Sequence, residues 1–320
     1  MSNAPRPNHR QLPLFSQAPA TPQDISRATP LKATFDLFAQ ALTADGKSDH
    51  TVAAFAADLD LLAEYQGEAT PIGDITLADL TGFFHWMDNE RDVPCSRKTY
   101  ARRMTTVKAF FRWLHDDVKA LRADPAKALV QRSGPAPLSD VLSPAQLRDC
   151  LEASRTFKYK RSQTPDTRPE LLLRLLVDTG IKKNEAMLLT PASIITDDPR
   201  QPVVQVRYKV RSVFKERNID LKPDWLRLYD EYLRQYTPSN VLFDCTPRNL
   251  EYVLSDIGEV AALPFKLSFE ICRWTCGLRD LRAGLPDEFI RSKLGLSDVS
   301  WYETGGKLRQ LDERLRQRGD

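Results

Sequence analysis

Histidine is almost missing from this chain. Four occur in 320 residues, His9, His50, His85 and His115, and Ser143 to Asp320 contain none. Chemistry in that longer part must run without imidazole as acid, base or metal ligand. Cysteine is also rare. Cys95, Cys150, Cys245, Cys272 and Cys276 are odd in number and show no repeated CxxC spacing, which argues against a disulfide framework and a zinc site. Cys272 and Cys276, four apart on an expected helix, read as small buried side chains. No metal or organic cofactor is expected. Glycine is sparse, at 13 residues, and neither G-x-G-x-x-G nor a P-loop occurs, so dinucleotide and nucleotide-hydrolase readings are weak. No apolar run approaches the ~20 residues that span a bilayer. The opening MSNAPRPNHRQLPLF has no apolar stretch behind its basic residues, so no secretory signal and a cytoplasmic location are expected.

What is present is helical periodicity and local positive charge. The formal charge is only +3, from 46 basic and 43 acidic residues. Up to Leu142 there are 16 basic and 17 acidic residues; beyond it there are 30 and 26. The stretch SRKTYARRMTTVKAFFR carries Arg97, Lys98, Arg102, Arg103, Lys108 and Arg112 with no acid. RTFKYKRSQTPDTR adds Lys158, Lys160 and Arg161 beside Phe157 and Tyr159. Such patches suit a phosphate backbone, and equally a solvated helix face.

Residues 1–27 read as a flexible arm. From Thr29 a helix is expected, with Pro30 in its first turn and Leu31, Phe35, Phe38 and Leu42 on one face. Ser48 or Asp49, Thr76 and Ser96 are expected to begin three more helices, and Asp124-Pro125 a short fifth. These make a helical domain over 28–130, followed by an extended polar linker over 131–142. Beyond it, 143–320 reads as mostly helical. QPVVQVRYKVRSVFKERNIDLK alternates as a small antiparallel hairpin or three-stranded sheet near its start.

Several short motifs in this second part resemble those of the tyrosine recombinase, or phage integrase, family. TGIKKNEAMLL (Thr179 to Leu189) is similar to T-G-L-R-x-x-E-x-x-x-L, with Lys182 at the arginine position and Glu185 and Leu189 matching. RYKVRSVFKER is similar to the hairpin that carries the family's active-site lysine, with Lys209 the equivalent and Lys215 the runner-up. EICRWTCG stands at H-x-L-R-H-T-F-A: Arg273 and Thr275 are kept, while Glu270 and Trp274 replace the histidines. AGLPDEFIRSKLGL matches through Ala283, Gly284, Ile290, Leu294 and Gly295, and Leu296 replaces a final histidine. Nine residues on, Gly305 occupies the position of the nucleophilic tyrosine, and Tyr302 is the nearest tyrosine.

The resemblance implies a mostly α, two-domain architecture. A helical core-binding (SAM-like) domain would be joined to a mainly helical catalytic-fold domain with a small antiparallel sheet. It also implies duplex DNA as partner, a nucleoid-associated location and no cofactor. In the family a tyrosine hydroxyl attacks a DNA phosphodiester held by two arginines, while a lysine protonates the leaving oxygen. Lys182 keeps the charge but not the planar fork of arginine. Glu270 repels a phosphate, Leu296 removes a donor and Gly305 removes the nucleophile. All changes point the same way. The leading expectation is therefore a DNA-binding protein on this scaffold without strand cleavage, in a regulatory or accessory role in recombination. Its phosphate contacts would be Arg97, Lys98, Arg102, Arg103, Lys108, Lys158, Lys160, Arg161, Arg211 and Lys215. One alternative is a divergent recombinase using Tyr302, with a glycine-broken helix at Gly305-Gly306 letting the motif slip. The other is an assembly factor whose amphipathic C-terminal segment, with Leu308, Leu311 and Leu315 on one side, packs on a second copy.

Overall fold

The computed structural model describes residues 19–91, 93, 95–130, 138–158, 164–210 and 213–318, with the side chains of 209, 210, 213 and 318 excepted. The chain divides into two units, Met1–Pro135 and Ala136–Asp320.

In the first unit, hydroxyl side chains set where helices begin. Ser48 accepts the Thr51 amide to open α2 (Asp49–Gln66), Thr76 and Asp79 close a reciprocal capping box at α3 (Leu77–Asn89), and Ser96 accepts the Thr99 amide at α4 (Arg97–Arg112). The first helix, α1 (Phe35–Ala44), begins later than Pro30. The reason is tertiary: Leu31 N–H donates to Thr70 at 2.9 Å and Ile72 N–H to Thr29 at 3.0 Å, which pairs Pro30 with Pro71 in an isolated antiparallel bridge, and a 3-10 turn over Lys32–Thr34 leads into the helix. The expected short helix at Asp124 is instead a turn, in which the Asp124 carboxylate accepts the Ala126 amide at 2.8 Å. Leu31, Phe38, Leu62, Phe83, Val107 and Phe110 form the buried centre, and Phe38 and Phe110 meet edge to face.

The second unit comprises α5 (Pro144–Thr156), α6 (Thr167–Thr179), α7 (Lys183–Leu188), β1 (Ile194–Ile195), β2 (Val203–Val210), β3 (Val213–Asp220), α8 (Trp225–Tyr236), α9 (Pro247–Val260), α10 (Phe269–Arg282), α11 (Asp287–Lys293) and α12 (Asp298–Arg318). The strands form one antiparallel sheet in chain order, with Val204 opposite Ile219 and Val206 opposite Arg217. Leu-rich α6 lies at the centre, with Leu171, Leu172, Leu175 and Leu176 fully buried. A smaller cluster joins Val141, Leu278, Leu308 and Leu311, with Trp274, Trp301 and Leu315 packed against it. Helix α12 passes through Gly305-Gly306 unbroken. This corrects the expected break: the apolar contacts of Trp301, Leu308 and Leu311 outweigh the ~1 kcal/mol by which each glycine disfavours helix. Among the described residues no helix is long and apolar enough to cross a membrane, and no group of three His, Cys, Asp or Glu is placed to hold a metal.

Candidate functional site

The site is built outward from one buried ion pair. Glu185, on the single exposed-then-buried turn of α7, faces Arg217 of β3, and the guanidinium donates to both carboxylate oxygens at 3.0 and 2.7 Å. Arg217 also donates through Nε to the Lys293 carbonyl at 2.9 Å and lies over the Tyr208 ring. Burial alone would raise the Glu185 carboxyl, but the Arg217 fork outweighs it, and the group sits below its usual value. The second Glu185 oxygen also accepts the Lys182 amide at 2.8 Å, so the ion pair fixes the backbone from which Lys182 projects.

Two glycines make the approach possible. Gly180 ends α6 in the left-handed region, φ +63°, and Gly295 follows α11 at φ +59°. A Cβ on Gly295 would lie 2.7 Å from Nη1 of Arg217. The Gly180 and Leu294 carbonyls both accept from Arg273, the latter at 2.6 Å. Arg273 is thus anchored by backbone, and among the described residues no carboxylate lies within 4 Å of it or of the Lys182 ammonium. Burial pulls Arg273 down to about 10, with Glu185 opposing and Arg217 adding to the shift, so it is charged at neutral pH. Burial, and then Arg273, hold Lys182 below the ordinary lysine value.

A cavity of about 350 Å³ opens over these groups, lined by Lys182, Lys183, Phe269, Glu270, Arg273, Trp274, Leu294, Leu296, Thr304 and Leu308. Glu270, Arg273 and Trp274 follow one another at i, i+3 and i+4 on α10, hence on one helix face. The structure therefore gathers Lys182, Glu270, Arg273, Trp274 and Leu296 at one cavity, with Thr304 bringing α12 to its edge. Gly305 is buried beside it, where a Cβ would meet the Trp301 ring at 3.1 Å. Tyr302 is 89% exposed and does not line the cavity. Lys209 pairs with Phe214 in the hairpin register, and its side chain lies outside the described residues. Lys215, opposite Tyr208, shares the sheet face of Arg217 and is exposed.

Lys183 also lines an adjoining depression of about 560 Å³ with Thr246, Pro247, Arg248, Glu251, Tyr252 and Lys266. Arg217, Arg248 and Lys266 are residues the sequence reading did not single out. The only hint for Arg217 was its place in K-E-R, and Arg248 and Lys266 belong to no motif. Thr275, kept from the family pattern, accepts the Leu142 amide at 2.9 Å and so anchors the start of this unit to α10.

The remaining expected phosphate contacts are spread more widely. Arg97 and Lys98 open α4 and are exposed, without an ion pair among the described residues; Lys108 is half-buried on the same helix, and Lys158 is exposed after α5. Lys160, Arg161 and Arg211 lie outside the described residues. Arg102 and Arg103 serve a buried carboxylate: Asp58, 2% exposed, pairs with them at 2.7 and 3.4 Å and accepts from Thr106 at 2.9 Å. Burial still holds the Asp58 carboxyl above its usual value, against those three partners. A carboxylate in this position requires such donors, which turns Arg103 inward.

Residues 35–117 match the family model described as the phage integrase N-terminal SAM-like domain. The chain is 30% identical over 158 residues to tyrosine recombinase XerC of Mycobacterium sp. (strain KMS), covering 48% of this chain and 51% of the relative. Against XerC of Mycobacterium leprae (strain TN) it is 29% identical over 162 residues, covering 50% and 52%. The chain thus spans about half the length of the curated relatives it matches. Among solved structures it is similar to a XerH site-specific recombinase bound to its difH substrate, with a TM-score of 0.64, 17% identity, and 85% and 79% of the two chains covered. It is also similar to the Tn1549 transposon integrase in complex with transposon end DNA, with a TM-score of 0.65, 15% identity, and 90% and 99% covered. At these identities the likeness is one of fold.

Proposed function

We propose that the chain is a member of the tyrosine recombinase/integrase family, to which its comparisons point, and that it binds duplex DNA on this scaffold without cutting it, in a regulatory or accessory role in recombination. The observation that carries the reading is the contrast within one cavity. Lys182 and Arg273 line it as cations with no carboxylate within 4 Å among the described residues, while the position expected for the nucleophile is Gly305, packed under Trp301.

Phosphate capture needs fixed donors and positive charge, and both cations have them. Arg248 and Lys266 extend the charge into the adjoining depression, where Lys183 is paired with Glu251 at 2.7 Å, and Arg97, Lys98, Lys108, Lys158 and Lys215 supply further cations. Transesterification needs a hydroxyl within ~3–3.5 Å of phosphorus, and among the described residues no tyrosine lines the cavity. Glu270 works further against it: at ~4 Å, with an effective dielectric near 20, a carboxylate repels a phosphate charge by roughly 4 kcal/mol. Domain roles follow the same reading, with residues 28–130 as the core-binding part and 143–320 as the catalytic-fold part.

The test is fluorescence anisotropy with labelled duplexes from the protein's own genomic neighbourhood across a salt series, beside covalent trapping on nicked versions of them. Expected is an affinity that falls steeply with salt, is weakened by Arg97→Ala/Lys98→Ala and by Arg273→Ala, and is accompanied by no adduct. Affinity no greater than that of a control of equal charge would refute DNA binding. An adduct abolished by Tyr302→Phe would refute the absence of cleavage.

A further inference from the structure

The cavity has charges and walls that a phosphodiester chain does not require. Of its three cations, Lys183 is paired with Glu251 at 2.7 Å; the other two, Lys182 and Arg273, share the cavity with one carboxylate, Glu270, which has no ion-pair partner among the described residues. The rest of the lining is largely apolar: Phe269, Trp274, Leu294, Leu296 and Leu308. At about 350 Å³ it lies at the lower end of the ~300–1,000 Å³ range typical of small-molecule sites.

We infer that this cavity binds a small zwitterion with an apolar side chain, of the class of a large apolar α-amino acid. Lys182 and Arg273 take the carboxylate. Arg273 is already oriented by the Gly180 and Leu294 carbonyls, so little freedom is lost when it does so. Glu270 takes the ammonium. It precedes Arg273 by three residues on α10, which places the two side chains as neighbours one turn apart, a spacing suited to the adjacent charges of an α-amino acid. Trp274, one residue beyond Arg273, and Leu296 and Leu308 cover the apolar body. The same substitutions that remove phosphodiester chemistry, a carboxylate for one histidine and apolar groups for two others, supply this second specificity. Among the described lining residues Glu270 is the one carboxylate that repels a polyanion, and it is the group an ammonium needs.

Isothermal titration calorimetry of the full chain tests this, with leucine, phenylalanine and tryptophan as ligands beside phenylpropionate and phenethylamine, each of which lacks one of the two charges. At least one amino acid should bind, and phenylalanine should exceed both single-charge analogues by about tenfold or more. Glu270→Gln should weaken phenylalanine about tenfold and leave phenylpropionate unchanged. Lys182→Gln should weaken phenylalanine and phenylpropionate but not phenethylamine. Both substituted side chains are exposed, and thermal melts of the variants verify that they fold. Absence of heat with all three amino acids overturns the inference. So does phenylpropionate binding as tightly as phenylalanine, or binding that Glu270→Gln leaves intact. No DNA enters this experiment, so its result is independent of the DNA-binding proposal.

Discussion

At the scale of single residues, the Glu185–Arg217 pair supports the site without being part of the cavity lining. Both side chains are nearly inaccessible, so removing one partner leaves a charge buried without compensation. Arg217→Ala is expected to cost on the order of 3–5 kcal/mol in urea unfolding of the full chain. The pair also sets an acid limit. Because the folded-state carboxyl of Glu185 sits below its ordinary value of 4.5, its contribution to stability is present above that pH and is lost as pH falls through the lowered folded value. Glu185→Gln should flatten this part of the melting-temperature profile between pH 5 and the acid limb, and calorimetry across that range measures it. Lys182 has the opposite sign of pH dependence. Its ammonium loses charge at lower pH than an ordinary lysine, so anion affinity at the cavity declines earlier as pH rises. Lys182→Arg should move that decline upward and strengthen duplex binding about fivefold, the ~1 kcal/mol of one added hydrogen bond, as read by anisotropy against pH. The sequence marked Lys182 and Arg273 through their motifs. It did not disclose that Arg217 holds Glu185, because that contact joins residues 32 apart across two elements.

At the scale of elements, α12 is the informative one. Read locally, paired glycines end a helix. Here the helix survives because its apolar face is covered: Leu308 is 1% and Leu311 3% exposed, and Asp312 accepts from Arg282 at 2.8 Å. The two glycines are not equivalent. A Cβ at Gly306 meets nothing within 4 Å, whereas one at Gly305 presses on Trp301 at 3.1–3.2 Å. Gly306→Ala is therefore expected to stabilise the fold by about 1 kcal/mol, the usual helix-propensity gain, with Gly305→Ala gaining less because the indole must give way. Thermal denaturation of the two variants side by side checks the order. The apolar stripe Leu308, Leu311 and Leu315 was legible in the sequence, but its partner was not. Periodicity identifies a face that must be buried and does not say against what. In the structure Trp274, Leu278 and Leu281 of the same chain pack against it.

At the scale of the whole molecule, that intrachain cover changes what removal of the C-terminal segment should do. Deleting residues 307–320 strips Leu308 and Leu311 from the core of the second unit. The expected outcome is a lower melting temperature and exposure of the Trp274 cluster to a hydrophobic dye, beyond any change in oligomeric state by size exclusion. Leu308→Ala alone should cost about 2–5 kcal/mol, as is usual for a fully buried leucine.

By itself the sequence determined the helical character of both units, the places where α2, α3 and α4 begin, the antiparallel hairpin and the order of the motifs. These depend on neighbours a few residues apart: caps, side-chain periodicity and strand alternation. Tertiary structure decided the rest. It drew Pro30 out of its expected helix through hydrogen bonds to residues 70–72, turned Arg102 and Arg103 toward Asp58, and carried α12 through two glycines. It also brought Lys182, Glu270 and Arg273 to one cavity while leaving Tyr302 outside it. Each of these outcomes rests on burial and pairing between residues distant in sequence, and local pattern carries no term for either.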